Sequence, residues 1–247
     1  MVEITNRTVL IVGGTSGIGR GLAQRFVDAG STVVVGGRSV ERWDGVASVR
    51  IDVTDPGSVL RARDEVLETH PGLDVVVTMS GVLLTEDLRD PGHIGAAEAT
   101  VATNLLGTIR VLDAFTPHLL ARGSGTILTV SSGIAFLPFP LMATYGATKA
   151  GVHSYTESLR AHLAGTGVEV AELVPPAVAT PAMVKLNPAA MPVEAYLDEV
   201  MEQLAAEPTP REILASGAPP LRWAERDGTY LELLERRSQV LDTLPGR

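Results

Sequence analysis

The chain has 247 residues, of which 45% are hydrophobic and 20% are charged, so a disordered protein is excluded and a large core is expected. The formal net charge of −9 argues against general binding to nucleic acids or anionic membranes. The sequence contains no cysteine, which excludes disulfides, thiol catalysis and cysteine-bound metal. No apolar run approaches the roughly 18 residues of a membrane span, and the start of the chain is unlike a signal peptide. We therefore expect a single cytoplasmic α/β domain that covers residues 1–247.

The first predicted element is a strand at 8–12, because TVLIV is a continuous apolar run of the kind found in central parallel strands. A glycine-rich turn, Gly13–Gly19, follows it directly, and a helical pattern then continues to Gly30. Glycines let the backbone approach a pyrophosphate at a helix N-terminus, where the amide groups and the helix dipole favour anions. The alternative is a loop that merely needs positive φ angles. The order of strand, turn and helix favours dinucleotide binding.

The residues after the second predicted strand, at 32–35, indicate which dinucleotide is bound. Enzymes that prefer NAD usually carry an acidic residue at this point, which binds the ribose hydroxyls. Here Gly37 is followed by Arg38 and Ser39, so a carboxylate is replaced by a guanidinium that suits a 2′-phosphate. The alternative is an arginine that is merely solvated on a loop. We predict a preference for NADP(H) over NAD(H).

Apolar runs and helical periodicity predict the remaining elements. They are strands at 49–51, 74–79, 126–130, 169–174 and 213–215, helices at 56–69, 99–122, 193–206 and 218–241, a helix that begins at Tyr145, and a surface excursion at 83–97. Asp52 follows a strand end, where a side chain can face an adenine ring. Asn104 is a poor helix former inside a long helix, which hints at a function. The alternative is a solvent-facing asparagine.

Tyr145 and Lys149 are four residues apart in a helical pattern, so they lie on one face of the helix. A lysine cation close to a phenol lowers a pKa that starts near ~10, and a tyrosine so tuned can exchange a proton near neutral pH. Ser132 lies at the end of the strand at 126–130, where it can hydrogen-bond the same substrate oxygen. The alternative is that a tyrosine four residues before a lysine is a common accident on amphipathic helices. The preceding dinucleotide motif favours the catalytic interpretation.

The segment 175–180 follows the strand at 169–174 and is expected at the edge of the sheet where ligands bind in open α/β folds. Residues 181–210 contain five prolines around one helical segment, and we predict that they form a lid over the substrate. The segment 136–142 adds an apolar wall that is compatible with many ketones. The five histidines show no metal-ligand spacing, so no metal site is predicted, and for His153 we expect packing or a subunit contact.

The glycine turn, Asp52, Asn104, Ser132, the pair Tyr145 and Lys149, and Thr180 occur in the order typical of one family. In these motifs the chain resembles the short-chain dehydrogenase/reductase superfamily over roughly its first 185 residues. It is most similar to the branch of oxidoreductases assigned to D-alanyl-lipoteichoic acid operons, an assignment that rests on genomic context and implies no substrate. The resemblance implies an α/β fold with a single Rossmann-like, doubly wound parallel sheet and helices on both faces.

The resemblance also implies hydride transfer between nicotinamide and a carbonyl compound or secondary alcohol. Tyr145 would be the acid/base, Ser132 would orient the substrate oxygen, and Lys149 would lower the pKa of the tyrosine and hold the nicotinamide ribose. Asn104 would support a water relay, and the helices that contain Asn104 and Tyr145 commonly form a homodimer or homotetramer interface. The residues expected to bind the cofactor are Gly13, Thr15, Ser16, Gly17, Ile18, Gly19, Arg38, Ser39, Asp52, Val53, Gly81, Asn104, Tyr145, Lys149, Pro175, Val178 and Thr180.

Three departures from the family pattern leave a second function open. Val12 replaces a threonine, Pro176 replaces a glycine, and the segment 78–81 (TMSG) replaces Asn-Asn-Ala-Gly. Because those asparagines help to tie the central strands, their loss is compatible with a cofactor-binding protein without net redox turnover, such as a regulator, a partner subunit or a catalyst of rearrangement. The complete set of Asn104, Ser132, Tyr145 and Lys149 favours the enzyme.

Overall fold

The computed structural model describes residues 5–39 and 43–245. Three parts of the predicted domain lie outside the described residues: 1–4, 40–42 and 246–247. The strands are β1 (Thr8–Val12), β2 (Thr32–Gly37), β3 (Ala47–Arg50), β4 (Val75–Thr78), β5 (Gly125–Val130), β6 (Val168–Val174) and β7 (Glu212–Leu214). They form one sheet in the order β3-β2-β1-β4-β5-β6-β7, and every neighbouring pair is parallel. The order reverses between β1 and β4, which is the point where open parallel sheets bind ligands.

Helices cover both faces of this sheet, as predicted. They are α1 (Gly17–Asp28), α2 (Pro56–Thr69), α3 (Ile94–Thr100), a π-helical turn (Val101–Leu106), α4 (Gly107–Arg122), α5 (Ala143–His162), α6 (Val193–Leu204), α7 (Pro219–Arg222) and α8 (Tyr230–Ser238). In the described chain, no helix combines the length and hydropathy needed to span a membrane.

Two hydrophobic cores form, one on each face, because successive strand residues point to opposite sides of a sheet. In β1, Val9 and Ile11 pack with α1 and α6, whereas Leu10 and Val12 pack with α2 and α4. Both faces of β1 and β4 are therefore buried. For this reason their sequences are continuous apolar runs and do not alternate between apolar and polar residues.

Two helix predictions need correction. The helix predicted at 99–122 begins at Ile94 as α3 and passes through the π-helical turn before α4, so it also contains the end of the predicted surface excursion. The single helix predicted at 218–241 is wrong: α7 and α8 are separate, and Gly228 between them has a φ of +70°. A glycine in a helix interior costs about 1 kcal/mol relative to alanine, and left-handed φ angles are open to it, so a turn replaces the helix there.

Candidate active site

A cavity of about 1360 Å³ follows the carboxyl ends of β1 to β6. Its lining includes every residue predicted to bind the cofactor except Ser39 and Asn104. Three of the four predicted catalytic residues, Ser132, Tyr145 and Lys149, also line it. The parallel strands bring these distant residues together because they all end at the same edge of the sheet.

The turn Gly13–Gly19 lies where β1 meets the N-terminus of α1, and it has space only for glycine at Gly13, Gly14 and Gly19. Gly13 has a φ of +94°, and a Cβ atom there would lie 2.5 Å from the backbone nitrogen of Ser80. A Cβ atom on Gly19 would lie 2.2 Å from the carbonyl oxygen of Gly13. The first turn of α1 carries no acidic residue, so its backbone N–H groups face the cavity mouth without a competing carboxylate. This arrangement can hold a phosphate group.

The end of β2 leaves no space for the acidic residue that NAD-dependent enzymes place there. A Cβ atom on Gly37 would lie 2.8 Å from the side chain of Thr15. Arg38, the next residue, is exposed at the cavity wall. Asp52 lies across from it and accepts hydrogen bonds from the Thr54 hydroxyl at 2.7 Å and the Thr54 backbone N–H at 2.9 Å. These bonds, and to a smaller extent the charge of Arg38, hold the pKa of Asp52 below its usual range.

Lys149 is buried on α5, and its Nζ atom donates a hydrogen bond of 2.8 Å to the carbonyl oxygen of Val130. Burial lowers the pKa of Lys149 to about 8, although the nearby charge of Glu172 acts in the opposite direction. The same Nζ atom lies 5.6 Å from the centre of the Tyr145 ring. Tyr145 and Lys149 are therefore neighbours on one helix face, as predicted.

The predicted direction of the Tyr145 pKa shift is wrong in this structure. Burial raises the pKa of Tyr145 to about 12, because removal from water disfavours the phenolate. The Lys149 ammonium points at the Val130 carbonyl and does not reverse this effect. At neutral pH, Tyr145 is a protonated phenol.

Ser132 lies at the end of β5, and its hydroxyl has only long contacts with its own surroundings. Its Oγ atom is 3.4 Å from the carbonyl oxygen of Pro175, and it accepts a 3.5 Å bond from the backbone N–H of Ile134. Hydrogen bonds of this length are weak. The Ser132 hydroxyl can therefore turn to a group in the cavity at little cost.

Asn104 is fully buried in the π-helical turn, so the alternative of a solvent-facing asparagine is excluded. Its Oδ1 atom accepts a 2.8 Å bond from the backbone N–H of Val82, and its Nδ2 atom donates a 2.9 Å bond to the Val82 carbonyl oxygen. The side chain thus holds the segment after β4, which includes Gly81 at the cavity wall, and does not itself line the cavity.

The segment 78–81 is held by its backbone rather than by side chains. The Thr78 hydroxyl is buried without a hydrogen-bond partner among the described residues. Even so, the backbone N–H of Met79 donates a 2.8 Å bond to the carbonyl oxygen of Val12, and Thr78 pairs in register with Val12 and Thr129. The family's missing asparagines therefore do not disturb the pairing of β1, β4 and β5.

Glu86 is a buried carboxylate that the sequence analysis missed, because it lies in the segment assigned to a surface excursion. Its Oε2 atom accepts a 2.7 Å bond from the backbone N–H of Thr144, and its Oε1 atom accepts a 2.8 Å bond from the Thr144 hydroxyl and contacts His93 Nδ1 at 3.1 Å. Burial acts to raise the pKa of Glu86, but the bonds from Thr144 and His93 outweigh it and lower the pKa. Glu86 thus fixes the first turn of α5, next to Tyr145. No periodic pattern marks it in the sequence.

Glu172 is a second buried carboxylate that the sequence analysis missed. It lies in β6 and accepts a 2.9 Å hydrogen bond from His153 Nδ1, which raises the pKa of His153. His153 also packs edge-on against the Phe136 ring, with 4.7 Å between ring centres. Together with Glu157, these two residues place three possible metal-ligand atoms within 4.8 Å of one another. Glu157 is already paired with Arg160, and the prediction of no metal site stays a prediction.

Comparison with known protein sequences points to one family. A model of the short chain dehydrogenase family matches residues 7–190. DltE of Bacillus subtilis, named an uncharacterized oxidoreductase, is 34% identical over 187 residues, which cover 72% of this chain and 74% of the relative. A second uncharacterized oxidoreductase, from Staphylococcus epidermidis, is 32% identical over 189 residues, covering 73% of this chain and 82% of the relative.

Comparison with solved structures gives similar folds over nearly the whole chain. A short chain dehydrogenase from Burkholderia cenocepacia, solved in complex with NADP, matches with a TM-score of 0.83 at 25% identity, covering 94% of this chain and 99% of the other. A 3-ketoacyl-(acyl-carrier-protein) reductase from Brucella melitensis, complexed with NADH, shares the fold with a TM-score of 0.75 at 24% identity, covering 84% of this chain and 94% of the other.

Proposed function

Because this chain belongs to the short chain dehydrogenase family, we propose that it is an NADP(H)-dependent oxidoreductase that transfers a hydride between nicotinamide and a carbonyl compound or secondary alcohol. The observation that carries the proposal is a single cavity with a phosphate-binding turn at one part of its wall and Ser132, Tyr145 and Lys149 at another. A dinucleotide long enough to reach both parts brings its redox-active ring to the three polar side chains.

The residues along the cavity fit this cofactor. The glycine turn allows β1, the start of α1 and the segment after β4 to approach more closely than any Cβ atom would permit, and there the backbone N–H groups of α1 would bind the pyrophosphate. Arg38 binds the 2′-phosphate, while Asp52 and Val53 face the adenine. Lys149 holds the nicotinamide ribose, and Pro175, Val178 and Thr180 contact the nicotinamide. When bound, the cofactor supplies the hydride donor or acceptor.

In the direction of reduction, the Tyr145 hydroxyl gives its proton to the carbonyl oxygen of the substrate. Its pKa of about 12 keeps it protonated at neutral pH, which suits the role of general acid. The Ser132 hydroxyl donates a hydrogen bond to the same oxygen and orients it. Lys149, the nearby cation, stabilises the phenolate formed and passes a proton to it, and a water relay near Asn104 then returns a proton from solvent to the lysine. Overall, a ketone, NADPH and one proton give a secondary alcohol and NADP⁺.

Two further features complete the proposal. The part of the predicted lid from Pro181 to Met191 covers the cavity, because residues of this part line it. The rest of the predicted lid contains α6, which packs in the core with α1 and lines no part of the cavity. The chain assembles as a homodimer or homotetramer through the helices that contain Asn104 and Tyr145. Support for this assembly comes from apolar side chains that remain exposed on the same long helix: Val101, Leu106 and Leu120.

The test is oxidation of NADPH over a panel of aldehydes and ketones, with wild type and Tyr145→Phe compared on the best substrate. The substitution removes one hydroxyl and no ribose contact, so turnover falls roughly 10²- to 10⁴-fold while NADPH affinity stays the same. Tyr155→Phe is the matched control, since Tyr155 lies on the same helix and packs into the core beneath the sheet.

Retention of most of the wild-type rate in Tyr145→Phe contradicts the catalytic assignment. Tight NADPH binding without turnover of any carbonyl compound contradicts the oxidoreductase proposal, and favours a cofactor-binding protein without net redox turnover.

A further inference from the structure

The cavity has an outer part that lies beyond the segment matched by the family. Leu221, Leu233 and Val240, which line this part, come after residue 190, where the family match ends. Two consecutive arginines of α8, Arg236 and Arg237, line it with them. These arginines are the feature that the dehydrogenase chemistry does not explain.

Arg237 is held in place by the protein. Its Nη1 atom donates a 2.8 Å hydrogen bond to the carbonyl oxygen of Leu137, and its guanidinium lies 5.3 Å from the centre of the Phe139 ring. Its neighbour Arg236 is exposed at the cavity mouth. Burial, and in addition the charge of Arg236, lowers the pKa of Arg237 to about 10. The protein thus fixes one guanidinium and places a second positive charge beside it.

Among the described residues, no carboxylate forms an ion pair with either of these two charges. Within residues 5–39 and 43–245, no carboxylate oxygen lies within 4.0 Å of either guanidinium. Two other arginines of the described C-terminal segment are paired: Arg222 with Glu212 at 2.6 Å, and Arg226 with Asp227 at 2.7 Å. The chain has 29 acidic and 20 basic residues, so it contains more than enough carboxylates to pair with every lysine and arginine.

Apolar side chains line the cavity together with these arginines. They include Phe139 and Met142, from the predicted apolar wall, and Leu233 and Val240. A guanidinium offers five N–H donors in a planar fork that matches the oxygens of a carboxylate or a phosphate. Arg237 uses one of its donors on the Leu137 carbonyl, which leaves the others available.

We infer that Arg236 and Arg237 form a binding site for an oxyanion group of the substrate. The substrate is then a carbonyl compound or secondary alcohol with an apolar body and a carboxylate or phosphate at its far end. This inference rests on the proposed function, because that function places the reacting oxygen at Tyr145 and Ser132. It goes further in naming the chemical class of the substrate and the residues that select it.

Binding tests the oxyanion site without any turnover. Protein saturated with NADPH is titrated with octanoate, methyl octanoate and octyl phosphate in a calorimeter. We expect octanoate or octyl phosphate to bind at least ten times more tightly than the uncharged ester, and the better of the two identifies the oxyanion. Arg236→Gln and Arg237→Gln should each weaken binding of that anion about tenfold or more, since a charge-assisted hydrogen bond is lost. The ester and NADPH should bind as in wild type.

The matched control is Arg226→Gln, which removes the same charge from the same segment outside the cavity and should leave anion binding unchanged. Arg237→Lys keeps the charge and should lose less affinity than Arg237→Gln. If Arg237→Gln lowers the melting temperature, the exposed Arg236 still decides the test. Equal affinity for the anions and the ester, or anion binding unmoved by Arg236→Gln, overturns the inference.

A turnover assay separates this inference from the proposed function. An aliphatic oxo acid and its methyl ester are compared as substrates with NADPH. A higher kcat/KM for the acid, lost through KM in Arg236→Gln, supports both proposals. Equal turnover of acid and ester in wild type and variant overturns the oxyanion site and leaves the oxidoreductase intact. Anion binding that depends on Arg236, without turnover of any carbonyl compound, overturns the oxidoreductase and leaves the oxyanion site intact.

Discussion

At the scale of single residues, burial sets the proton affinities of Tyr145 and Lys149 in opposite directions. Both charged forms are disfavoured away from water, so the pKa of the phenol rises to about 12 and that of the ammonium falls to about 8. At neutral pH the pair is a neutral phenol beside a cation that loses its proton easily. This is the protonation state that the proposed reduction of a carbonyl compound requires.

Lys149→Met tests the cost of burying this cation. The folded-state pKa of about 8 lies below the ordinary lysine pKa of 10.5, so between these pH values the folded chain binds fewer protons than the unfolded chain. Stability of wild type relative to the variant should therefore rise with pH, by roughly 2 kcal/mol between about pH 7.5 and 9.5, and at most roughly 3 kcal/mol in total. Denaturant unfolding of both proteins at a series of pH values measures this difference.

Lys185→Met is the control, because Lys185 is exposed in the segment after Pro181. Its effect on the free energy of unfolding should not change over the same pH range. If the difference in free energy of unfolding between wild type and Lys149→Met also does not change with pH, the Lys149 cation is better solvated than its burial indicates. We also expect Lys149→Met to bind NADPH more weakly than wild type, because the proposed ribose contact is lost. Titration of both proteins with NADPH measures this change.

At the scale of elements, the strands could be predicted closely and two helical segments could not. The strands β1 and β4 are apolar on both faces, a signal that is wholly local. The π-helical turn contains Asn104, whose side chain forms hydrogen bonds with the backbone of Val82 in a distant part of the sequence. Such a tertiary contact leaves no local pattern. The break between α7 and α8 did leave a signal, Gly228, which a longer charged amphipathic pattern masked in the sequence analysis.

The α5 helix begins where Glu86 accepts hydrogen bonds from Thr144, and Glu86→Gln tests whether this contact positions Tyr145. Glutamine keeps one acceptor oxygen but loses the negative charge next to the first turn of the helix, and it turns an N–H₂ group toward a donor. We expect a loss of roughly 1–3 kcal/mol in stability and a fall in kcat with little change in NADPH affinity. Urea unfolding and steady-state kinetics measure the two effects.

The control for this change is Glu98→Gln, an exposed glutamate on the neighbouring helix α3, which should alter neither quantity. A loss of stability with unchanged kcat would mean that Glu86 only stabilises the fold. A loss of kcat that persists well below the melting temperature supports a role in holding Tyr145.

At the scale of the whole molecule, the net charge and one local charge act on the cofactor in opposite directions. The chain carries −9, which repels the phosphates of NADPH at long range, but salt screens charges beyond about 8 Å. Arg38 lines the cavity, and Gly37 before it has no space for a carboxylate. The local guanidinium should therefore decide the preference.

Arg38→Asp should lower NADPH affinity roughly ten- to a hundredfold and change NADH affinity little, since one charge-assisted contact to the 2′-phosphate is lost. Titration of both cofactors against both proteins measures the change. Arg63→Asp carries the same change of net charge on α2, outside the cavity lining, and separates the local effect from the global one. Equal wild-type affinities for NADPH and NADH would refute the preference.

The cofactor half of the cavity could be predicted from the sequence because its residues follow strand ends, and strand ends in a parallel sheet meet at one edge. Glycine-rich turns and helix starts mark those points locally. The contribution of α8 to the cavity could not be predicted, since Arg237 reaches the cavity only through the packing of α8 against the segment around Leu137. Contacts between distant segments of this kind carry no periodic signal along the chain.

The position of α8 outside the family match has an evolutionary consequence. Residues 7–190 contain the glycine turn, Arg38, Ser132, Tyr145 and Lys149, whereas Arg236 and Arg237 lie after them. If the proposed oxyanion site selects the substrate, mutations in the terminal segment change the substrate without altering the proposed catalytic residues. We therefore expect relatives with different terminal segments to differ in substrate, even where their catalytic residues agree.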